Sequence, residues 1–141
     1  MDVRTVLLPL FVEVLLTLGL LLWLALLRRD DFNSGAVKPQ AIALREPNWP
    51  VRTQQVANSF SNQFELPMLF YVLTILEIVT RHADVVFVVL AWIFVLARIG
   101  QAYVHTNSNV VIQRGVIYAI GAVTLIVMWI VFIVRILLGL P

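Results

Sequence analysis

The sequence contains no cysteine among its 141 residues. Disulfides, thiolate metal sites and cysteine nucleophiles are therefore excluded. Charged residues are also scarce, at 13% of the chain, and the ten basic and eight acidic side chains are scattered without a block of one sign. Because proteins that bind nucleic acid present a basic patch or stripe, nucleic acid is excluded as a partner.

The sequence also lacks the fingerprints of common enzyme classes. It contains no glycine-rich phosphate loop, no Ser-His-Asp arrangement and no cofactor motif. The two histidines, His82 and His105, fall on opposite sides of the predicted membrane domain, so a histidine metal site is not expected. If the chain is a catalyst, we expect it to act by stabilising a thiolate.

Hydrophobic residues make up 61% of the chain, and the mean hydropathy is +0.95. Soluble domains have only about 45–50% apolar residues. A helix that crosses the hydrocarbon core, which is about 30 Å thick, needs about 20 mostly apolar residues. Four segments meet this requirement and predict an all-α integral membrane protein, a bundle of four transmembrane helices in a single domain: residues 6–27, 50–80, 85–105 and 110–138.

A long polar connection, residues 28–49, joins the first two predicted helices and contains Pro39 and Pro47. The first apolar run is longer than the 7–15 residues typical of a signal peptide and no small-residue cleavage site follows it, so we predict a retained helix. Four crossings put both termini on one side. By the positive-inside rule the loops 28–49 and 105–110 are predicted to be cytoplasmic and the termini periplasmic.

The second predicted helix carries a polar stripe in its first half. Polar side chains recur at i, i+3, i+7 and i+10, the spacing of one helical face: Gln55, Asn58, Asn62 and Glu65. Pro67 follows, and because proline removes a backbone donor we expect a kink where the polar half gives way to the apolar half.

A second polar stripe lies on the third helix, where Arg98, Gln101 and His105 stand at i, i+3 and i+7. Tyr103 is close by but off this line. In an antiparallel hairpin Glu65 and Arg98 reach a similar depth, so we expect them to pair. The pair can be a structural ion pair that fixes helix register or part of a ligand site, and the sequence leaves both interpretations open.

Arg114 opens the fourth helix. It is either an interfacial anchor or, together with Arg52 and Arg98, the holder of an anionic ligand. A peptide carboxylate suits the planar guanidinium fork, and the side chains of Asn58 and Asn62 would bind the peptide amides.

Two further acidic residues lie in the predicted helices near the termini. Glu13, about a third of the way into the first helix, is expected to have a buried partner such as Arg135 or a neighbouring subunit. Glu77 is expected to lie at a solvated helix end.

Residues 52–67 and 98–114 resemble the MAPEG superfamily, the membrane-associated proteins in eicosanoid and glutathione metabolism. The segment VANSFSNQFELPMLFYV, residues 56–72, is similar to the family's arginine, asparagine, glutamate and proline pattern. The segment ARIGQAYVHTNSN, residues 97–109, is similar to bacterial members. The likeness extends over nearly the whole chain and implies a protein of the bacterial inner membrane.

The resemblance implies a homotrimer that holds glutathione between adjacent subunits on the cytoplasmic side, where an arginine or tyrosine stabilises the thiolate. It makes Arg114 and Arg98 the candidate catalytic residues. The candidate glutathione-binding residues are Arg52, Asn58, Asn62, Glu65, His105 and Tyr103. Where glutathione-using members have a tyrosine seven residues after the arginine of the third helix, this chain has His105.

Three functions are compatible with these features. The first is a glutathione transferase or peroxidase that acts on lipophilic electrophiles arriving from the bilayer. The second is a non-catalytic MAPEG-like protein that binds membrane lipid or assembles a larger membrane complex, which the missing tyrosine favours. The third is a small proton-coupled multidrug exporter that uses Glu13, although the long loop 28–49 is unlike the short loops of such transporters.

Overall fold

The structure, a computed structural model, describes residues 1–44 and 48–141. These residues form five α-helices: α1 (Val3–Asn33), α2 (Val51–Asn62), α3 (Leu66–Val79), α4 (Val85–Thr106) and α5 (Val111–Leu137). Four segments are long and apolar enough to cross a membrane, namely α1, α2 with α3, α4, and α5. The prediction of an all-α, four-helix membrane domain is confirmed. Arg45, Glu46 and Pro47 of the predicted loop lie outside the described residues.

Helix α1 extends six residues beyond its predicted end at residue 27. Loss of apolar character marks the end of the membrane-buried part of a helix, but the backbone hydrogen bonds continue through the charged residues that follow. The helix ends where Ser34 donates its amide to the carbonyl of Asp30 at 2.9 Å and Gly35 adopts a positive φ of 77°. Glycine is the residue that takes this left-handed conformation without steric cost.

The second crossing is divided into two helices. Helix α2 ends at Asn62 and α3 begins at Leu66, and the residues between them form i to i+3 turn hydrogen bonds. Pro67 lies in the first turn of α3, where its missing N–H is not needed. The predicted kink near this proline is therefore a break in the helix. The break begins at Gln63, whose carbonyl in a continuous helix would have to accept from the N–H that Pro67 lacks.

Helix α4 packs against α1, α2 and α5 and forms the centre of the bundle. The rings of Phe70 on α3 and Phe94 on α4 lie 4.9 Å apart, and both side chains are fully buried. Gly121 of α5 allows a close approach to α4, because a Cβ at this position would lie 3.7 Å from the Cβ of Ala97.

At the end of the bundle that carries the termini, Asp84 joins α4 to α5. Its Oδ1 accepts a hydrogen bond from the amide of Phe87 at 2.9 Å and so caps α4, and its Oδ2 lies 2.6 Å from Arg135 of α5. Arg135 therefore pairs with Asp84, and the expectation that it pairs with Glu13 is wrong. Glu77, expected to be solvated, is 2% exposed.

Candidate functional site

An open cavity of about 510 Å³ lies at the opposite end of the bundle, which we call the loop end because α1 and α4 end there and α2 and α5 begin there. Helices α2, α4 and α5 form its walls. Five of the eight predicted site residues line this cavity, named here the site cavity: Asn58, Asn62, Glu65, His105 and Arg114.

The local fold explains why these residues meet. Asn58 and Asn62 stand at i and i+4 on α2, so they share one helical face, and Glu65 follows in the break between α2 and α3. The turn after α4 contains Asn109 with a φ of 52°, and its amide donates to the carbonyl of Val104 at 2.7 Å. Asparagine tolerates this left-handed conformation better than most residues. The turn reverses the chain and brings Arg114, in the first turn of α5, back to His105, in the last turn of α4.

His105 lies at the centre of the polar contacts and is 5% exposed. Its Nε2 is 3.1 Å from Nη1 of Arg114, and its Nδ1 is 3.3 Å from the side-chain amide of Asn62. A guanidinium can only donate, so Nε2 accepts and the imidazole proton resides on Nδ1. With the Asn62 amide flipped so that its oxygen faces the ring, Nδ1–H donates to it and both contacts are hydrogen bonds.

Arg114 is half-buried and also donates to Oδ1 of Asn109 at 3.0 Å. Within residues 1–44 and 48–141 no carboxylate lies close enough to form an ion pair with it. Glu65, on the opposite wall, is exposed and likewise has no ion-pair partner in the described chain. The site cavity therefore presents one cation and one anion, together with the amides of α2.

Arg98 lies behind the wall of the site cavity and is 1% exposed. Its Nη2 donates to the backbone carbonyl of Asn62 at 3.0 Å, and its Nη1 donates to the side-chain oxygen of Gln101 at 2.5 Å. The predicted ion pair with Glu65 is not formed. Glu13 of α1 interacts electrostatically with Arg98, but neither carboxyl oxygen of Glu13 has a hydrogen-bond partner among the described residues.

Two other predicted residues lie away from the site cavity. The guanidinium of Arg52 stacks over the ring of Trp23, 4.9 Å from its centroid. Tyr103 is 70% exposed and faces a groove between α1 and α4. The structure does not bring either side chain to His105 or Arg114.

Five lining residues were not among the predicted site residues: Ser61, Gln101, Val111, Gly115 and Tyr118. The helical repeat could have identified two of them. Ser61 is three residues after Asn58, and Tyr118 is four residues after Arg114, so each shares a face with a predicted residue. Gly115 carries no side chain, and its place in the wall depends on how α5 packs.

The sequence model of the MAPEG family matches residues 6–134 of the chain. This range contains all four membrane-crossing segments except their outermost residues, and it contains every residue that lines the site cavity. Neither the search of curated proteins nor the search of solved structures found a match. The family match confirms the resemblance noted from the sequence.

Proposed function

Because this integral, multi-pass membrane protein belongs to the MAPEG family, we propose that it is a glutathione transferase or peroxidase acting on lipophilic electrophiles. One observation carries the proposal. The guanidinium of Arg114, held by His105 and Asn109, has no anionic partner in the described chain and faces a cavity of about 510 Å³.

The site cavity offers partners for several groups of glutathione, which has two carboxylates, an ammonium group, two amides and a thiol. Glu65 is placed to bind the ammonium group, and the side chains of Asn58 and Asn62 to bind the amides. Arg114 is placed to stabilise the thiolate, since a nearby cation lowers the pKa of a thiol. The thiolate would then be the nucleophile that attacks the electrophile.

The two candidate arginines have different roles in this proposal. Arg114 lines the site cavity and contacts the ligand, whereas the guanidinium of Arg98 is occupied by Gln101 and the carbonyl of Asn62. Arg98 is therefore a positioning residue, which fixes two lining residues. His105 positions Arg114 through Nε2.

Calorimetric titration of glutathione into the purified protein tests the proposal, with Arg114→Ala as the variant and Arg52→Ala as the matched control. We expect saturable binding at one site per subunit in the wild type and in the control. In Arg114→Ala the affinity should fall by roughly tenfold to a hundredfold, the range for a hydrogen-bonded charged group. Absence of heat at millimolar glutathione in the wild type would overturn the proposal.

A second function is favoured by His105, which stands where glutathione-using members of the family carry a tyrosine. It is the non-catalytic protein that binds lipid or assembles a larger membrane complex. Turnover of glutathione with an aryl halide separates the two functions, because binding without turnover would support the second. The exporter hypothesis has no comparable support, because Glu13 is 0% exposed and lines none of the cavities described here.

The proposal includes a homotrimer in which a neighbouring subunit closes the open side of the site cavity. Large apolar side chains face outward on α1 and α5, for example Leu15 at 66% and Ile126 at 57% exposure, and provide surfaces for lipid or for another subunit. Detergent-corrected mass by light scattering measures the number of subunits. A monomer of 16.0 kDa would contradict this part of the proposal.

We also propose that the loop end faces the cytoplasm, because the basic residues concentrate there. The chain has no cysteine, so a single introduced cysteine is a clean reporter of sidedness. Ser108→Cys should be protected from an impermeant maleimide added to intact cells, and Asp2→Cys should react. The reverse pattern would contradict this orientation.

A further inference from the structure

A cavity of about 250 Å³ lies at the end of the bundle that carries the termini and is named here the terminal cavity. The start of α1, the end of α3 and the turn after α3 form its walls, and it shares no lining residue with the site cavity. Five of the seven described residues that line it are apolar, and the other two are Glu77 and Arg81. Pockets for drug-sized ligands measure about 300–1,000 Å³, so this smaller cavity suits a small molecule or the head of a lipid.

Glu77 supplies a buried carboxylate to the wall of the terminal cavity, and its Oε2 has no hydrogen-bond partner among the described residues. Two basic side chains, Arg135 and His82, interact with it electrostatically but make their hydrogen bonds elsewhere. Arg135 binds the carboxylate of Asp84 at 2.6 Å. Nε2 of His82 donates to the carbonyl of Leu140 at 2.9 Å. A buried acceptor without a donor costs free energy, so the Glu77 carboxylate is available to an added N–H group.

Arg81 supplies the opposite charge to the same cavity. It is exposed and has no ion-pair partner in the part of the chain that the structure describes. Arg81 adopts a positive φ of 58° in the turn after α3, and its amide donates to the carbonyl of Ile78 at 3.2 Å. This turn holds Arg81 beside the last residues of α3, which include Glu77. The terminal cavity therefore offers one ligand both a buried carboxylate and an exposed guanidinium.

We propose that the terminal cavity binds a phosphoethanolamine head, with the primary ammonium on Glu77 and the phosphate on Arg81. An ammonium group has three N–H donors and no acceptor, which matches a carboxylate that lacks a donor. Arginine binds phosphate through two parallel N–H groups. Glu77 and Arg81 lie at the end of the second membrane crossing, where the hydrocarbon core gives way to the polar headgroups. Phosphatidylethanolamine of the bilayer and free phosphoethanolamine both present this chemistry.

The two charges predict which lipid heads the terminal cavity selects. Phosphatidylcholine has the same phosphate, but its quaternary ammonium has no N–H group to donate to Glu77, so the buried oxygen would stay without a partner. Phosphatidylglycerol has no cation, so its head would bring a phosphate to a wall that already carries a carboxylate. The apolar side chains of Val3 and Val6 are available to the glycerol and the first part of the acyl chains in all three lipids.

Native mass spectrometry of the detergent-solubilised protein measures this binding directly, with the dilauroyl forms of the three lipids as probes. The variant is Glu77→Gln. The matched control is Asp2→Asn, which removes an exposed acidic charge at the same end of the bundle, outside the terminal cavity, and keeps a side chain that can cap α1. We expect one phosphatidylethanolamine per subunit, bound at least about tenfold more tightly than the other two lipids. This preference should be lost in Glu77→Gln and retained in Asp2→Asn.

Titration with soluble phosphoethanolamine separates the two sources of the head. Tighter binding of phosphatidylethanolamine supports the bilayer lipid, and equal binding of both supports a soluble ligand. Equal binding of the three lipids, equal weakening in Glu77→Gln and Asp2→Asn, or no binding of either form of the head to the wild type would overturn the proposal. If Glu77→Gln fails to fold, Arg81→Gln should weaken phosphatidylethanolamine, whereas Arg4→Gln, an exposed arginine outside the terminal cavity, should not.

Discussion

The guanidinium of Arg98, on α4, donates a hydrogen bond of 3.0 Å to the backbone carbonyl of Asn62, the last residue of α2. The last carbonyls of a helix have no partner within the helix. The Asn62 carbonyl accepts one turn hydrogen bond from the amide of Glu65 at 3.3 Å, and the Arg98 side chain is its second donor at the break in the second crossing. The same bond fixes Asn62, whose side chain contacts His105 in the site cavity.

Replacing Arg98 by methionine should be strongly destabilising. The substitution removes the side-chain donor to the Asn62 carbonyl, which keeps only the Glu65 amide, and it removes the positive charge that interacts with Glu13. Each hydrogen bond lost from a buried charged group costs about 1.5–3 kcal/mol in the free energy of unfolding, and Arg98 makes two of them. Unfolding of the variant in mixed detergent micelles, compared with the wild type, measures this loss.

The double variant Glu13→Gln with Arg98→Met tests whether the two side chains are coupled. If Arg98 compensates the charge of Glu13, the double variant should lose less stability than the sum of the single variants, by about 0.5–3 kcal/mol. Strictly additive losses would contradict the coupling between α1 and α4.

His105 should carry its proton on Nδ1. Arg114 can only donate to Nε2, so this nitrogen accepts and the tautomer is fixed. In ¹⁵N-histidine-labelled protein the Nε2 resonance should have the shift of an unprotonated nitrogen, and Arg114→Ala should produce a mixture of tautomers. A protonated Nε2 in the wild type would show that the contact with Arg114 is made differently.

Filling the site cavity should block glutathione without unfolding the protein. Gly115 lines the cavity, and a Cβ built on it has no atom within 4 Å, so Gly115→Leu is expected to occupy ligand space. Binding should weaken at least about tenfold, while the free energy of unfolding should rise by up to about 1 kcal/mol because glycine is a poor helix former. Gly19→Leu on α1, which also meets no neighbour, is the control and should bind normally.

The cap and ion pair of Asp84 predict a loss of stability in acid. Burial raises the pKa of Asp84, but the Phe87 amide and Arg135 outweigh this effect and hold the pKa below its ordinary value of 3.8. The unfolded chain therefore takes up the proton first, and the stabilisation present above about pH 4 is lost as the pH falls through the folded pKa. The thermal midpoint should fall less between pH 4 and pH 2 in Asp84→Asn, which keeps a capping side chain.

The sequence predicted the number of membrane crossings because a bilayer imposes the same apolar length on every helix. It also predicted the polar face of α2, because a helix repeats at about 100° per residue. The same repeat turns Tyr103 about 140° away from Arg98, and Tyr103 is indeed exposed on another face. The resemblance had assigned Tyr103 to the same site as Arg98 and His105, whereas the helical repeat places Tyr103 on another face.

Other features depend on packing between helices and have no local signal. The Asn62 carbonyl is open to the Arg98 side chain because α2 ends at Asn62. Neither residue alone predicts this contact. The stacking of the Arg28 guanidinium over the ring of Trp49 likewise joins two residues that are far apart in the sequence.

The division of the second crossing has a consequence for biogenesis. Its most apolar window has a mean hydropathy of 1.2, whereas those of the other three crossings have 2.2 to 2.7. Helix α3, with 14 residues, is about 21 Å long and cannot span about 30 Å of hydrocarbon alone. We therefore expect the translocon to release this segment into lipid only after α4 has been synthesised and can shield its polar half. Integration of the second crossing then depends on residues that leave the ribosome later.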